Sequence, residues 1–281
     1  MQVAGPVAAH RIVALYRDPE INLLIDTHCH LNDPSFENSL DDVIAQAVSQ
    51  EVMQFIVPSY DVGSLERTHH VVSVRQKALF PAFGIHPWYV TDDTDVDSLV
   101  VPYLSNHGAI AVGEIGLDLA PGCPPMEWQM PVFKRQLTLA DERGLPVIIH
   151  CRKAHDQLYS ILKGYGEHLQ GVMHSYSGST ELMFKFLDLG FFVAFSGSVT
   201  RRTARKYHTN AREVPVDRLL LETDAPSIAT ETTVASLVEP KHMVEIAEKV
   251  AELKGISYQE ICAHSTRNAR LLFNLPPSPQ P

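Results

Sequence analysis

The chain has 281 residues and a formal net charge of −10, with 45% hydrophobic and 20% charged residues. This composition is typical of a globular protein with enough apolar material for a core, and it excludes a disordered or fibrous chain. An acidic chain is not a general polyanion binder, so any contact with nucleic acid requires a local basic patch.

The two ends of the chain differ from the rest. Pro6, His10 and Arg11 interrupt residues 1–21, which therefore lack the continuous apolar stretch of a secretory signal, and no run approaches the length of a membrane span. We expect an N-terminal extension over 1–21, a cytoplasmic protein without membrane contact, and a disordered tail over 276–281. The four cysteines form no CxxC pair, which predicts free thiols.

Between these ends, eight short apolar runs alternate with eight helical patterns. Runs such as PVIIH and RLLLE are continuously apolar, which is typical of parallel strands that are buried on both faces. The predicted strands are 22–28, 53–58, 80–84, 109–114, 146–150, 171–174, 191–195 and 218–222. Apolar residues at steps of three and four predict helices over 39–50, 128–143 and 241–254, and a last helical pattern covers 257–272.

This alternation predicts the fold class. Eight βα units over residues 22–275 indicate a single-domain α/β protein, a (β/α)8 TIM barrel. A doubly wound open sheet shows a similar alternation and is the alternative.

Candidate functional residues fall where the predicted strands end, which is where barrel enzymes place their chemistry. In IDTHCH the two histidines are two positions apart, so in a strand their side chains lie on the same face. The residues at these ends are His28 and His30 on strand one, Glu114 on strand four, His150 on strand five, His174 on strand six and Asp224 on strand eight.

Imidazole and carboxylate groups suit divalent ions such as Zn²⁺, Mn²⁺ and Co²⁺, and Mg²⁺ where oxygen ligands dominate. Six candidate ligands exceed the three that one catalytic zinc commonly takes, which favours two divalent ions with Glu114 as the bridge. The alternative for each residue alone is a hydrogen-bonded structural histidine or a capping carboxylate. Recurrence at the same end of five strands favours the metal interpretation.

Several motifs together resemble one family. IDTHCH, FGIHPW, VGEIGLD, QLTLADERGLPVIIHCRKAHD, HSYSGS and RLLLETDAPS are similar, in this order, to the motifs of the TatD family of metal-dependent hydrolases. GLDL and RKAHD resemble its YjjV branch. The resemblance implies an amidohydrolase-like barrel that binds one or two divalent ions and hydrolyses phosphodiesters, often as a DNA exonuclease.

The resemblance also implies roles for individual residues. Asp224 would orient or deprotonate the attacking water, and His86 would lie near the substrate, although a loop histidine stacked beside Pro87 and Trp88 is an equally good interpretation of that residue. In the implied site His28, His30 and Asp224 bind the first ion, His150 and His174 bind the second, and Glu114 bridges them. The sequence departs from the family pattern in loop 227–240, where Val238 replaces the usual Asn and no Arg is present.

Basic residues near the predicted rim are candidates for binding substrate phosphates. Arg152 lies two positions from His150, and Arg201 and Arg202 follow strand seven, in a part of the barrel where phosphate sites are common. The alternative for Arg201 and Arg202 is a solvated helix face.

These features lead to three functional hypotheses. The first is a phosphodiesterase, a 3′–5′ exodeoxyribonuclease acting on DNA, in which two metals generate the attacking hydroxide and Glu114 and Asp224 are catalytic. The second is a metal-dependent ester or amide hydrolase such as an aminoacyl-tRNA deacylase, and the third is a non-catalytic scaffold stabilised by its ions. A monomer is expected.

Overall fold

The computed structural model describes residues 22–75 and 77–278, in which eight parallel strands form one sheet in the order β1 to β8. The predicted extension over 1–21 lies outside the described residues. The strands are β1 Leu24–Asp26, β2 Val52–Pro58, β3 Leu79–Phe83, β4 Ala111–Asp118, β5 Val147–Arg152, β6 Gly171–Met173, β7 Phe192–Phe195 and β8 Leu219–Leu221.

Each strand is followed by at least one helix. Two short helices follow β3, and two longer helices follow β8. The helices are α1 Leu40–Val48, α2 Val62–Ser73, α3 Val96–Leu99, α4 Val101–Asn106, α5 Met126–Arg143, α6 His155–Leu162, α7 Thr180–Asp188, α8 Arg205–Glu213, α9 Met243–Lys254 and α10 Tyr258–Phe273. Over the described residues, none of them is both long and apolar enough to span a membrane.

Backbone hydrogen bonds join the first and last strands and close the sheet. The Thr27 amide donates to the Leu221 carbonyl (3.2 Å), and the Asp224 amide donates to the His28 carbonyl (2.8 Å). Asp26 strengthens the same seam, because its carboxylate accepts from the Thr223 amide (2.9 Å) and hydroxyl (2.6 Å). The predicted (β/α)8 barrel is therefore confirmed, and the open sheet is excluded.

The barrel interior is a packed core. Every strand contributes a buried apolar side chain to it, and burying each isoleucine or leucine stabilises the fold by roughly 1.5–3 kcal/mol. These residues are Ile25, Ile56, Ala82, Ala111, Ile148, Val172, Ala194 and Leu220. Most other buried apolar residues lie between the strands and the surrounding helices. The four cysteines are free thiols.

Two strand ends differ from the prediction. Strand β1 ends at Asp26 and not at residue 28, although the next residues still bond to β2 and to the segment after β8. Strand β4 continues through Glu114 to Asp118. The prediction ended strand four at Glu114 because of its charge. In the barrel the Glu114 carboxylate lies among histidines, so the charge is accommodated and the strand continues. The β4–β5 pairing shifts register between Val112 and Ile115, as in a β-bulge, which re-aims side chains.

Helix α10 seals the opposite end of the barrel. The Thr266 hydroxyl donates to the Leu23 carbonyl (2.6 Å), and the Asn268 amide donates to the Leu219 carbonyl (2.9 Å), both at the amino ends of strands. Leu272 and Phe273 pack against the interior core from below.

The chain after α10 stays against the barrel for a few residues. The Gln54 side chain donates to the Pro276 carbonyl (3.1 Å), and Ser278 is buried. Within the predicted tail, Pro276 and Ser278 thus both contact Gln54 of β2. Residues 279–281 lie outside the described part of the chain.

Candidate metal centre

The barrel brings all six predicted ligands to one end. Glu114 and His150 project from within β4 and β5, His174 follows β6 directly, and His28, His30 and Asp224 lie just beyond β1 and β8. Asp224 adopts a left-handed backbone conformation with φ of 52°, which is costly for a non-glycine residue and recurs at functional sites. All of these side chains except that of His150 are buried.

One group of donor atoms lies around the first two histidines. His28 Nε2 and His30 Nε2 are 3.2 Å apart, and they lie 3.3 and 3.6 Å from Glu114 Oε2. Asp224 Oδ1 is 3.8 Å from His28 Nε2 and 3.4 Å from His30 Nε2. A tetrahedron with metal–ligand bonds of about 2.1 Å has edges of roughly 3.4 Å, so this spacing suits one divalent ion.

A second group faces the other oxygens of the same carboxylates. Glu114 Oε1 lies 3.2 Å from His150 Nδ1 and 3.7 Å from His174 Nε2. Asp224 Oδ2 lies 3.6 Å from His174 Nε2. Glu114 thus directs one oxygen to each group, which is the arrangement required of a bridging ligand.

Carboxylates behind two of the histidines determine which ring nitrogen can bind an ion. His150 Nε2 donates to Asp118 Oδ2 (2.8 Å), and His174 Nδ1 lies 2.7 Å from Glu222 Oε1. A carboxylate only accepts, so the His150 proton stays on Nε2 and leaves Nδ1 for an ion. The Glu222 carboxylate beside His174 Nδ1 favours a proton on that nitrogen, and His174 Nε2 faces the cluster. Sequence reasoning missed both carboxylates, although Asp118 lies in VGEIGLD and Glu222 precedes Thr223 and Asp224.

His86 has the opposite orientation. Its Nδ1 accepts from the Trp88 backbone amide (3.1 Å), so the proton of the neutral ring is on Nε2, which lies 3.5 Å from Glu114 Oε1. Burial lowers the pKa of His86 to about 3, which keeps the ring neutral. Although His86, Glu114 and His150 are close enough to hold an ion, this tautomer makes His86 a hydrogen-bond donor into the site and not a ligand.

The site is strongly charged for its burial. Burial by itself raises the pKa of Glu114, but the surrounding histidines outweigh it and hold that pKa well below its usual range. Burial lowers the pKa of His174, yet Glu222, Glu114 and Asp224 outweigh it and raise that pKa to about 10. The pKa values of His30 and His150 are also raised, so protons on these three histidines offset the carboxylates, and a divalent cation would compete with those protons.

The residues fit divalent ions on their own chemistry. Two carboxylates and four imidazoles, each with a nitrogen directed at the cluster, form a nitrogen and oxygen donor set of intermediate hardness. The Nδ1 atoms of His28 and His30 are buried without a hydrogen-bond partner among the described residues. No internal hydrogen bond therefore draws these two rings away from the cluster.

The cluster forms part of the wall of an open cavity of about 490 Å³, within the size range of small-molecule sites. Arg152 is exposed and borders this cavity. Arg201 and Arg202 do not border the cavity. Their side chains instead contact the loop after β8, where Arg201 donates to the Ala229 carbonyl (3.0 Å) and Arg202 lies 3.4 Å from Glu231. Of the three predicted basic residues, only Arg152 thus borders the same cavity as the candidate ligands.

A parallel barrel with buried histidines and two shared carboxylates at its strand ends is the architecture of a metal-dependent hydrolase. The chain belongs to the family described as TatD related DNase, whose sequence profile matches residues 25–274.

Individual relatives agree with this assignment. The chain is 35% identical over 255 residues to the metal-dependent hydrolase YabD of Bacillus subtilis, covering 90% of this chain and 100% of YabD. It is 28% identical to the human deoxyribonuclease TATDN3, covering 89% and 94% of the two chains. The crystal structure of YjjV, a TatD homologue from Escherichia coli, superposes with a TM-score of 0.83 at 30% identity, covering 91% and 100%.

Proposed function

We propose that this protein is a two-metal phosphodiesterase that removes nucleotides from the 3′ end of DNA. The observation that carries the proposal is the division of the Glu114 carboxylate between two groups of donor atoms beside an open cavity. Two ions held about 3.5–4 Å apart are a recurrent solution for displacement at phosphorus. The name of the human relative, a deoxyribonuclease, supports DNA as the substrate.

Each residue has a role in this proposal. His28, His30 and Asp224 would hold one ion, His150 and His174 the other, and Glu114 both. Bound there, the ions supply Lewis acidity, which lowers the pKa of water and offsets negative charge on phosphate oxygens. Asp224 accepts the proton of the attacking water, and the His86 Nε2–H donates to a phosphate oxygen.

The charge of the cavity explains why ions would be essential. Asp33, Glu114 and Asp224 border it, and Arg152 is the one arginine or lysine that does so among the described residues. Ions that bind would displace the histidine protons, so the ions themselves must supply the positive charge that offsets these carboxylates beside a phosphodiester. Arg152 can then bind two oxygens of a phosphate group through two parallel hydrogen bonds. The four free thiols fit a reducing compartment, and we propose the cytoplasm as the place of action.

The test compares the wild type with Glu114→Gln after metal removal and resupply with Mg²⁺, Mn²⁺, Co²⁺ or Zn²⁺. The readout is trimming of single-stranded DNA that carries a 5′ label, which shows loss of nucleotides from the 3′ end. Glu248→Gln, which changes an exposed carboxylate on α9, is the matched control. We expect ion-dependent trimming by the wild type and the control and none by Glu114→Gln. Bound metal without trimming under any ion would refute the nuclease proposal.

Arg201 and Arg202 lie outside the cavity and would contact phosphates farther along the strand. Replacing both by alanine should weaken oligonucleotide binding and flatten its salt dependence. Unchanged affinity and salt slope would show that these residues serve only their contacts with Ala229 and Glu231.

A further inference from the structure

One side of the cavity is aromatic. Trp88 and Tyr89, in the short 3₁₀ helix after β3, border the cavity and are 49% and 47% exposed. The Tyr89 ring lies 5.4 Å from the Tyr60 ring, which lies 5.2 Å from the ring of the proposed ligand His30. We call Tyr60, Trp88 and Tyr89 the aromatic wall. It runs from the ligand cluster to the mouth of the cavity.

The aromatic wall is held in place by hydrogen bonds. The Trp88 indole N–H donates to Asp118 Oδ2 (2.7 Å), and its backbone amide donates to His86 Nδ1 (3.1 Å). The Tyr60 hydroxyl accepts from Arg67 (3.0 Å). A flat, half-exposed surface that is already ordered loses little conformational entropy when a ligand binds.

Other parts of the cavity lining are polar. Arg152, Ser175, Ser177 and Ser198 border it, and they offer a guanidinium and hydroxyl groups. A ligand divided into a flat apolar part and an anionic, hydroxyl-bearing part matches this combination of aromatic and polar lining groups. A nucleotide has this division, with the base on one side and the sugar phosphate on the other.

We propose that Trp88 and Tyr89 stack the base of the nucleotide whose phosphodiester lies at the ligand cluster. This inference rests on the proposed nuclease function and specifies how the strand end is recognised. Base–aromatic stacking tolerates any sequence because every base has a π face. Since Asp118 already engages the indole N–H, Trp88 has no donor left to read a base edge. The cavity of about 490 Å³ has the size of a small-molecule site, so the stacked nucleotide belongs to an unpaired end.

The experiment uses the full chain in a Trp128→Phe background. Only two tryptophans are present, so fluorescence then reports on Trp88 alone. Trp128 does not border the cavity. The probes are two five-nucleotide thymidine strands with phosphorothioate linkages that slow cleavage, one intact and one abasic at its 3′ nucleotide. Both are titrated with Mg²⁺ present.

We expect the intact strand to quench Trp88 and the abasic strand to bind roughly 5- to 150-fold more weakly with little quenching. Tyr89→Leu removes one ring without touching Asp118. Trp88→Ala removes the other ring together with the last tryptophan, so binding to this variant is followed by the anisotropy of a fluorescent label at the 5′ end of each strand. Each variant should weaken binding of the intact strand and leave the abasic strand nearly unchanged. Stacking would be overturned by equal binding of the two strands, or by variants that weaken both strands equally.

Trimming assays on unmodified strands separate this inference from the proposed function. If both intact and abasic DNA ends are trimmed with the same KM, the nuclease function stands and the stacking is overturned. If neither strand is bound or trimmed with any ion, the nuclease function fails and the stacking fails with it.

Discussion

Asp118→Asn is the sharpest test of how the site is organised. The Asp118 carboxylate accepts three hydrogen bonds, from His150 Nε2 (2.8 Å) and Trp88 Nε1 (2.7 Å) at Oδ2, and from the Ala120 amide (2.7 Å) at Oδ1. Burial alone raises its pKa, but these hydrogen bonds outweigh burial and hold that pKa well below its usual range. The group is therefore a carboxylate throughout the neutral range.

The asparagine side chain has nearly the same shape but only one acceptor oxygen. In one orientation its NH₂ group faces the Ala120 amide, and in the other it faces His150 and Trp88. The second orientation favours the His150 tautomer with its proton on Nδ1, which then cannot bind an ion. Loss of such a partner typically lowers metal affinity 10- to 100-fold, which corresponds to about 1.4–2.7 kcal/mol.

The assay is equilibrium dialysis against buffered Mn²⁺, with the number and affinity of bound ions counted for each variant. We expect one class of site to weaken by this factor and the class formed by His28 and His30 to change less. Asp188→Asn, an exposed carboxylate at the end of α7, should change neither. Wild-type affinity for both ions in Asp118→Asn would refute the role assigned to the His150–Asp118 hydrogen bond.

Three further predictions concern the barrel and its ions. A Cβ at Gly116 would overlap the His150 carbonyl oxygen, so Gly116→Ala should lower the free energy of unfolding, measured in urea, by about 2–3 kcal/mol. A Cβ at Gly122 would meet open space, so Gly122→Ala should lower it by less. Equal costs of the two substitutions would contradict this prediction. An ion at 100 times its Kd should raise the free energy of unfolding by about 2.7 kcal/mol, and a melting temperature that ignores added Mn²⁺ would exclude binding to the folded state. Ser257 caps α10, and its backbone amide and hydroxyl donate to the Glu260 carboxylate. These two hydrogen bonds lower the pKa of Glu260. The carboxylate therefore stabilises the fold at neutral pH, and its contribution is lost as the pH falls through the folded-state pKa. Ser257→Ala should thus cost about 1 kcal/mol at pH 7 and less in acid, and a cost independent of pH in urea unfolding would argue against it.

The fold was predictable because its strands are short apolar runs separated by helical patterns. That signal locates a strand but not its end. Glu114 illustrates the difference, since its charge indicated the end of strand four, whereas β4 runs on to Asp118. Its environment, a polar barrel interior lined by histidines from other strands, is a property of the closed barrel and is absent from the local sequence.

The convergence of the six candidate ligands was predictable for the same reason that the fold was. Parallel strands in a barrel all point the same way, so residues at their carboxyl ends converge. The partners of those ligands were not predictable. Contact between Asp118 and His150 depends on the register of β4 against β5, which shifts between Val112 and Ile115. The orientation of the His86 ring was not predictable either, because it depends on the Trp88 amide that donates to its Nδ1.

The closing seam of the barrel has a consequence for folding. The Asp224 amide donates to the His28 carbonyl. These are the first and last of the six candidate ligands in the sequence, so nearly the whole barrel lies between two residues that are in contact. Contacts so distant along the chain form late, because they require the intervening loops to close first. A nascent chain whose β8 has not yet left the ribosome lacks the Asp224 carboxylate and the strand that positions it. Tight ion binding would therefore begin only when the barrel is complete, and the rate at which a refolding chain binds the ion would report the rate of the last folding step.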